Sequence, residues 1–133
     1  MVSLLTLFKQ ALQARENAYA PYSEFKVGAA LLTDQGHIYI GANAENVSYP
    51  CGSCAEAGAI SAMVAAGERL ISDIVIVSDS KDTITPCGMC LQKILEFSNK
   101  KTTIHAANIN GIQKSYKIND LLPIAFQQKD LKK

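Results

Sequence analysis

Four cysteines and one glutamate carry the side chains best suited to chemistry in this 133-residue chain. The cysteines form two C-x-x-C pairs, Cys51-Gly52-Ser53-Cys54 and Cys87-Gly88-Met89-Cys90, and Glu56 follows Cys54 by two residues. Paired cysteines in a chain expected to be intracellular suggest metal or redox chemistry before structural disulfides. Three readings stand side by side: a closed zinc site of four thiolates, a dithiol redox motif, and an open zinc site of three thiolates with one free position. A thioredoxin-like redox motif needs one pair after the first strand, whereas here two pairs lie in different contexts. C-x-x-C…C-x-x-C is a strong zinc signal and supports the closed site.

Two features favour the open site. Glu56 sits in an otherwise apolar stretch, 54–66, where a carboxylate is costly unless paired or used. The bland alternative is an acid stabilised by a helix N-terminus. Cys54 and Pro86-Cys87 also stand where helices should begin, and positive helix ends favour thiolate. Cys87 and Cys90 are three apart and share one helix face, while Cys54 arrives from a separate helix. Three thiolates with an open fourth position is a catalytic arrangement. Cys51 is then a spare thiol.

These groups need elements to hold them. Residues 3–19 show helical spacing at Leu4, Leu7, Phe8, Ala11, Leu12 and Tyr19, with Ser3 as N-cap and Pro21 just beyond the end. Phe25–Thr33 and His37–Ala42 read as strands joined by the turn Asp34-Gln35-Gly36, a hairpin signal. Residues 43–53 are polar and rich in turn formers. Residues 54–66 read as a buried helix whose small side chains permit close packing. The run Ile74-Val75-Ile76-Val77, inside 72–79, suits a strand covered on both faces. Pro86 opens a helix to about Ser98. Strands are expected at Thr102–Ala107 and near Gln113–Ile118, then helical turns around Leu121-Leu122. The tail from Lys129 to Lys133 is expected to fray. The order α-β-β-α-β-α-β-β-α predicts a single α/β domain over 1–133: three layers, α/β/α, around a mixed five-stranded sheet.

Composition excludes several functions. Lys and Arg number 13 against 12 Asp and Glu, a net charge of +1, so the basic field that holds a nucleic acid polymer or an anionic membrane is missing. The apolar fraction of 48% excludes a disordered chain. No apolar run reaches transmembrane length, and the first residues read as an amphipathic helix rather than a signal peptide. The expected location is the cytoplasm.

Cys54-Ala55-Glu56 followed by Pro86-Cys87-Gly88-Met89-Cys90 resembles the zinc nucleoside deaminase signature H-x-E…P-C-x-x-C, with cysteine in place of histidine, as in the small tetrameric cytidine deaminases. The resemblance covers nearly the whole chain. Tyr19-Ala20-Pro21-Tyr22-Ser23-Glu24-Phe25-Lys26-Val27-Gly28-Ala29-Ala30 looks like that family's opening signature. Asn43-Ala44-Glu45-Asn46-Val47-Ser48-Tyr49 looks like its nucleoside-binding segment, and Leu121-Leu122-Pro123-Ile124-Ala125-Phe126 like its C-terminal element.

The resemblance implies a cytidine deaminase-like fold and hydrolytic deamination of cytidine and deoxycytidine. It implies zinc on Cys54, Cys87 and Cys90, with Glu56 as the proton shuttle. Asn43 and Glu45 would contact ribose, and the Ala55 N–H a pyrimidine oxygen. Phe25 and Phe126 would line the base and sugar, and Tyr49 would reach a neighbouring subunit's site in a homotetramer. A modified or antibiotic nucleoside is the alternative substrate, and a non-catalytic four-cysteine zinc module the alternative function. His37 and His105 match no ligand position and are expected in surface or core roles. Where the family typically carries arginines, after C-A-E and after the second C-x-x-C, this chain has Ala57 and Leu91. Their absence leaves the charge of three thiolates without a cationic neighbour at those two places.

Overall fold

The computed structural model describes residues 2–82 and 84–131. Helix α1, Leu4–Glu16, starts where a side chain can cap it: Ser3 Oγ accepts from the Thr6 N–H at 3.1 Å. Strands β1 (Val27–Thr33) and β2 (Ile38–Ala42) form the expected hairpin, turning at Gly36 with φ +83°. Helix α2, Ala55–Ala65, leads to β3, Ile71–Ser78; helix α3, Gly88–Glu96, leads to β4, Thr103–Asn108. Strand β5, Gly111–Lys117, and the short helix α4, Ile118–Leu121, follow.

The five strands lie in the order β2-β1-β3-β4-β5. β1 is antiparallel to both neighbours, β3 and β4 are parallel, and β4 and β5 are antiparallel. This is the mixed sheet that the order of elements demands. Period-two alternation sends residues to opposite faces. Ala29, Leu31, Ile74, Ile76 and Ile104 meet Ala55, Ala59, Met63 and Ile94 of α2 and α3. Ala30, Val75, Val77 and Ala107 meet Leu7, Phe8 and Ala11 of α1. The β-branched β3 is thus covered on both sides, as its unbroken apolar run requires.

The topology sets where chemistry happens. Gly28 pairs with Ala42 and Val27 with Ser78, so the start of β1 lies between the ends of β2 and β3. α2 and α3 follow β2 and β3 and begin beyond that same edge. Two glycines draw the helices close: a Cβ on Gly28 would lie 2.2 Å from the Ala11 carbonyl oxygen, and one on Gly41 2.2 Å from that of Ala55.

Three expectations need correction. α1 ends at Glu16, not near Tyr19, because the Asn17 N–H closes onto the Ala14 carbonyl and the Ala18 N–H onto the Arg15 carbonyl. Tyr19 is instead an exposed residue bridged to Ala44. α3 begins at Gly88 with Cys87 as N-cap, two residues after Pro86. The tail does not fray through Leu131: Gln128–Leu131 form a 3-10 turn, and Asp130 Oδ2 accepts from the Gln127 N–H at 2.7 Å. Lys132 and Lys133 lie outside the described residues. Among the described residues no helix is long and apolar enough to cross a membrane.

Both histidines are held in polar networks away from the cysteines. His105 is buried, its Nδ1 2.7 Å from Ser115 Oγ and its Nε2 2.9 Å from Asp73 Oδ1. His37 Nδ1 lies 2.8 Å from Glu68 Oε2, which also accepts from the Tyr39 hydroxyl at 2.6 Å.

Two predictions follow from packing and charge. Gly41→Ala should destabilise the fold by about 1–3 kcal/mol, read as a lower urea midpoint, because the new methyl meets helix backbone rather than a flexible side chain. The Glu68 carboxyl is held below the usual range, first by the Thr33 hydroxyl and then by Tyr39, with His37 adding to both. Its contribution is therefore complete above the unfolded carboxyl's pKa of about 4.3 and is lost as pH falls toward the lower folded value. Glu68→Gln should flatten that acid limb of urea stability; a limb like wild type's would show that Glu68 does not contribute to it.

Candidate active site

Cys54 caps α2 and Cys87 caps α3, both in extended backbone, and neither side chain hydrogen-bonds its helix. Both thiols therefore stand at positive helix ends without capping them. Cys54 Sγ and Cys90 Sγ lie 2.8 Å apart. With a Glu56 carboxylate oxygen they form a group whose ligand atoms all lie within 4.8 Å of one another. Cys90 and Glu56 are buried, Cys54 is half-buried and Cys87 is exposed.

The charge balance of this group is poor without a cation. Burial pushes the Cys90 thiol far above its usual range, and the charges of Glu56, Cys54 and Cys87 push it the same way. Burial also raises the Glu56 carboxyl, against weaker lowering by its own backbone N–H, the Cys90 thiol and the Lys93 charge. Crowded sulfur donors beside a carboxylate fit a divalent ion that accepts thiolate, and zinc is such an ion. Cys87 Sγ is not within the 4.8 Å group, yet it is close enough to act on Cys90.

A cleft of about 520 Å³ opens beside Cys54, lined by residues of the 22–23 and 43–53 segments. Two isolated backbone bridges, Tyr19 to Ala44 and Ala44 to Ser53, tie its segments together. The Tyr19 N–H donates to the Asn43 carbonyl at 2.9 Å, the Glu45 N–H to the Tyr19 carbonyl at 2.8 Å, and Ala44 and Ser53 exchange two bonds of 3.0 Å. Ser53 immediately precedes Cys54, so this small ladder ties the cleft segment to the start of α2.

Asn43 and Glu45 line the cleft, and so does Tyr49, which is expected from the sequence at a neighbouring subunit's site but here stands in its own chain's cleft. Their side chains also have work within the chain. The Asn43 amide donates to the Phe25 carbonyl at 2.8 Å and accepts from the Val27 N–H at 2.9 Å. Glu45 accepts from the Tyr22 and Ser23 N–H groups at 3.0 and 3.1 Å and from the Ser23 hydroxyl. That hydroxyl is the main reason its carboxyl is held below the usual range, so it is ionised at neutral pH. An amide and a carboxylate have more hydrogen-bonding positions than these, so both retain capacity toward sugar hydroxyls.

Ala55 is the first residue of α2, and its N–H is among the four that have no partner inside the helix. Two expectations are not met within one chain. Phe25 does not line the cleft, and Phe126 lies instead in a separate depression with Gln92, Glu96 and Leu131, its carbonyl accepting from Gln92 Nε2 at 2.8 Å. Cys51 is an exposed free thiol, 3.5 Å from Ser48 Oγ and outside the metal-capable group. Tyr22, Ser23, Asn46 and Gly52 line the cleft without having been assigned a role from sequence. Tyr22 and Tyr49 face each other with ring centroids 6.0 Å apart.

The family model of the cytidine and deoxycytidylate deaminase zinc-binding region matches residues 1–106. The chain belongs to this family. Its metal is zinc, and the buried thiol and carboxyl group fits it. The chain is similar to a cytidine deaminase of Halalkalibacterium halodurans, 42% identical over 125 residues that cover 94% of this chain and 95% of that one. It is similar to another of Mycoplasma genitalium, 36% identical over 128 residues, covering 96% and 98%. The solved cytidine deaminase of Burkholderia pseudomallei matches with a TM-score of 0.89 at 40% identity, covering 94% of this chain and all of that one.

For this deaminase-family chain, Cys51→Ala should retain its zinc in metal analysis, whereas Cys90→Ala should lose most of it. Loss of zinc from a folded Cys51→Ala protein would point to the closed four-cysteine site.

Proposed function

We propose that the chain hydrolytically deaminates cytidine and deoxycytidine to uridine and deoxyuridine with release of ammonia. In this reading Cys54, Cys87 and Cys90 hold zinc, Glu56 moves protons, and Asn43, Glu45 and the Ala55 N–H orient the nucleoside. The observation that carries it is Glu56: a buried carboxyl with a raised pKa, grouped with two thiols beside the cleft that Cys54 lines. Cys87 completes the thiolate set because it stands one helical turn before Cys90, at the exposed N-terminus of α3.

Zinc supplies Lewis acidity that makes a nucleophile of water at neutral pH. Glu56 accepts one proton from the attacking water as the C4–O bond forms and delivers it to ring N3; it then takes the remaining C4 hydroxyl proton and gives it to the departing amine as the C4 carbonyl forms and the C4–N bond breaks. Its carboxyl, raised by burial, suits a group that must both take and return a proton. The ionised Glu45 and the Asn43 amide hold the sugar, and orientation converts binding energy into rate. The unsatisfied N–H of Ala55 offers a donor to the pyrimidine oxygen.

A homotetramer with sites at subunit boundaries completes the reading. Val47, Tyr49 and Met89 are large apolar side chains exposed beside the cleft segments, and Ile124 and Phe126 are exposed near the C-terminal element. Another chain covering them would bury this surface and could bring a Phe126 to the cleft. A single cytidine deaminase-like domain working in the cytoplasm on a small nucleoside fits the net charge of +1. The four-cysteine module is disfavoured because Cys51, unlike Cys87, is not among the groups that act on Cys90.

Glu56→Gln should keep fold and zinc and lower kcat for cytidine by about 10²–10⁴-fold. Near-normal turnover in a zinc-loaded Glu56→Gln protein would remove Glu56 from the proton path. A panel of nucleosides assayed with the wild-type protein separates cytidine from modified substrates.

A further inference from the structure

The cleft depends on a segment that belongs to no regular element. Residues 22–26 run from the Tyr22 and Ser23 wall to the first residue of β1, and Glu24 within them has φ +59°. A non-glycine residue persists in that conformation where its surroundings over-determine it. Glu45 fixes the first part of the segment through the Tyr22 and Ser23 N–H groups.

The last part is held from two sides. On the β2 side, the Asn43 amide binds the Phe25 carbonyl and the Val27 N–H. On the β3 side, Asp79 Oδ2 accepts from the Lys26 N–H at 3.0 Å. Val27 pairs with Ser78 in the β1–β3 ladder, so Asp79 stands one residue beyond the last pair, opposite Lys26. Its side chain continues a ladder that the backbone has left. Lys26 faces away from Asn43 because successive residues of an extended chain point their hydrogen-bonding groups to opposite sides.

Asp79 is itself fixed. Arg15, in the last turn of α1, donates from Nε to Asp79 Oδ1 at 2.6 Å and from Nη2 to the same oxygen. Their side chains are 17% and 26% exposed, although Asp79 as a whole residue stands at the surface. Arg15 is in turn placed by the close passage of α1 over Gly28, where a Cβ would lie 2.4 Å from the Arg15 nitrogen. A planar guanidinium orients a carboxylate far more sharply than a point charge would.

We propose that Asp79, oriented by Arg15, is a positioning residue for nucleoside binding: it holds the Phe25–Val27 segment against Asn43 and so sets the ribose side of the cleft. It touches neither the thiols nor Glu56, and its effect falls on binding rather than on the chemical step. The inference rests on the proposed cytidine deamination and names a residue which that reading does not use.

The experiment is steady-state kinetics with cytidine on zinc-loaded wild type, Asp79→Ala and Asp79→Asn, with metal content measured on each. Asp79→Ala should raise KM about tenfold while kcat changes less than about threefold. Asp79→Asn keeps an oxygen for the Lys26 N–H but loses the Arg15 ion pair, and its KM should rise about threefold. If Asp79→Ala does not fold, the Asn variant alone decides. KM within error of wild type in a folded, zinc-loaded variant overturns the inference. So does a fall in kcat with KM unchanged, which would place Asp79 in the chemistry, or a loss of zinc, which would place it in support of Cys87. A zinc-loaded wild-type protein that does not deaminate cytidine would sink the proposed function itself, a result distinct from any of these.

Discussion

The contact between β2 and α2 at Gly41 is the constraint on which the site depends. The missing side chain lets the Ala55 carbonyl and the Ala59 nitrogen come within 2.2 and 2.5 Å of where a Cβ would stand. Ala55 lies between Cys54 and Glu56, so the strand sets the position of both groups through helix backbone. Backbone contact is a stiffer constraint than side-chain packing because it has no rotamers to change. α3 has no such glycine; it is located by Leu91 and Ile94, which pack into the same core as Ala55, Ala59 and Ile104. The spacing of Cys54 from Cys90 is therefore a property of one hydrophobic core rather than of a loop.

That arrangement concentrates negative charge, and the fold answers it with direction rather than with many cations. Two helices point their N-termini to one place, and their caps are cysteines whose side chains make no hydrogen bond to the helix. The dipoles favour anions there. Away from the thiols, the ionised Glu45 and Asp79 are satisfied by backbone N–H groups of one segment, at Tyr22, Ser23 and Lys26. The cleft wall is thus a backbone held in place by carboxylates. This explains how an irregular stretch with a left-handed Glu24 can serve as a binding surface.

The sequence made much of this legible, for identifiable reasons. The β-branched run 74–77 announced a doubly covered strand, and the helix-starting cysteines announced a shared site. Glu56 stood out because a carboxylate in an apolar helix needs a reason. Other features carried no local signal. Asp79 is an ordinary acid after a strand, and its role arises only because Arg15, 64 residues away, reaches it. Tyr22 and Ser23 line the cleft because Glu45 pulls their N–H groups inward, which no spacing within 22–23 could reveal. Tyr19 was misplaced because it fits the helical period, while its backbone is claimed by Asn43 and Glu45. Long-range hydrogen bonds overrode local periodicity at that point.

The departures at Ala57 and Leu91 look different once the core is in view. Leu91 is buried at 6% exposure and belongs to the cluster that seats α3 against the sheet. At this position the chain uses side-chain volume for packing, and a guanidinium there would have to leave water without a partner carboxylate. Ala57 is only half-buried, and no such packing demand falls on it. Lys93 is the cation whose charge reaches the group, and it acts on Glu56 rather than on the buried Cys90. The two sites of missing arginine are therefore not equivalent. At 91 the core has taken the position, so charge balance around the sulfurs falls to the helix ends and the metal; at 57 the half-buried methyl serves no comparable packing role.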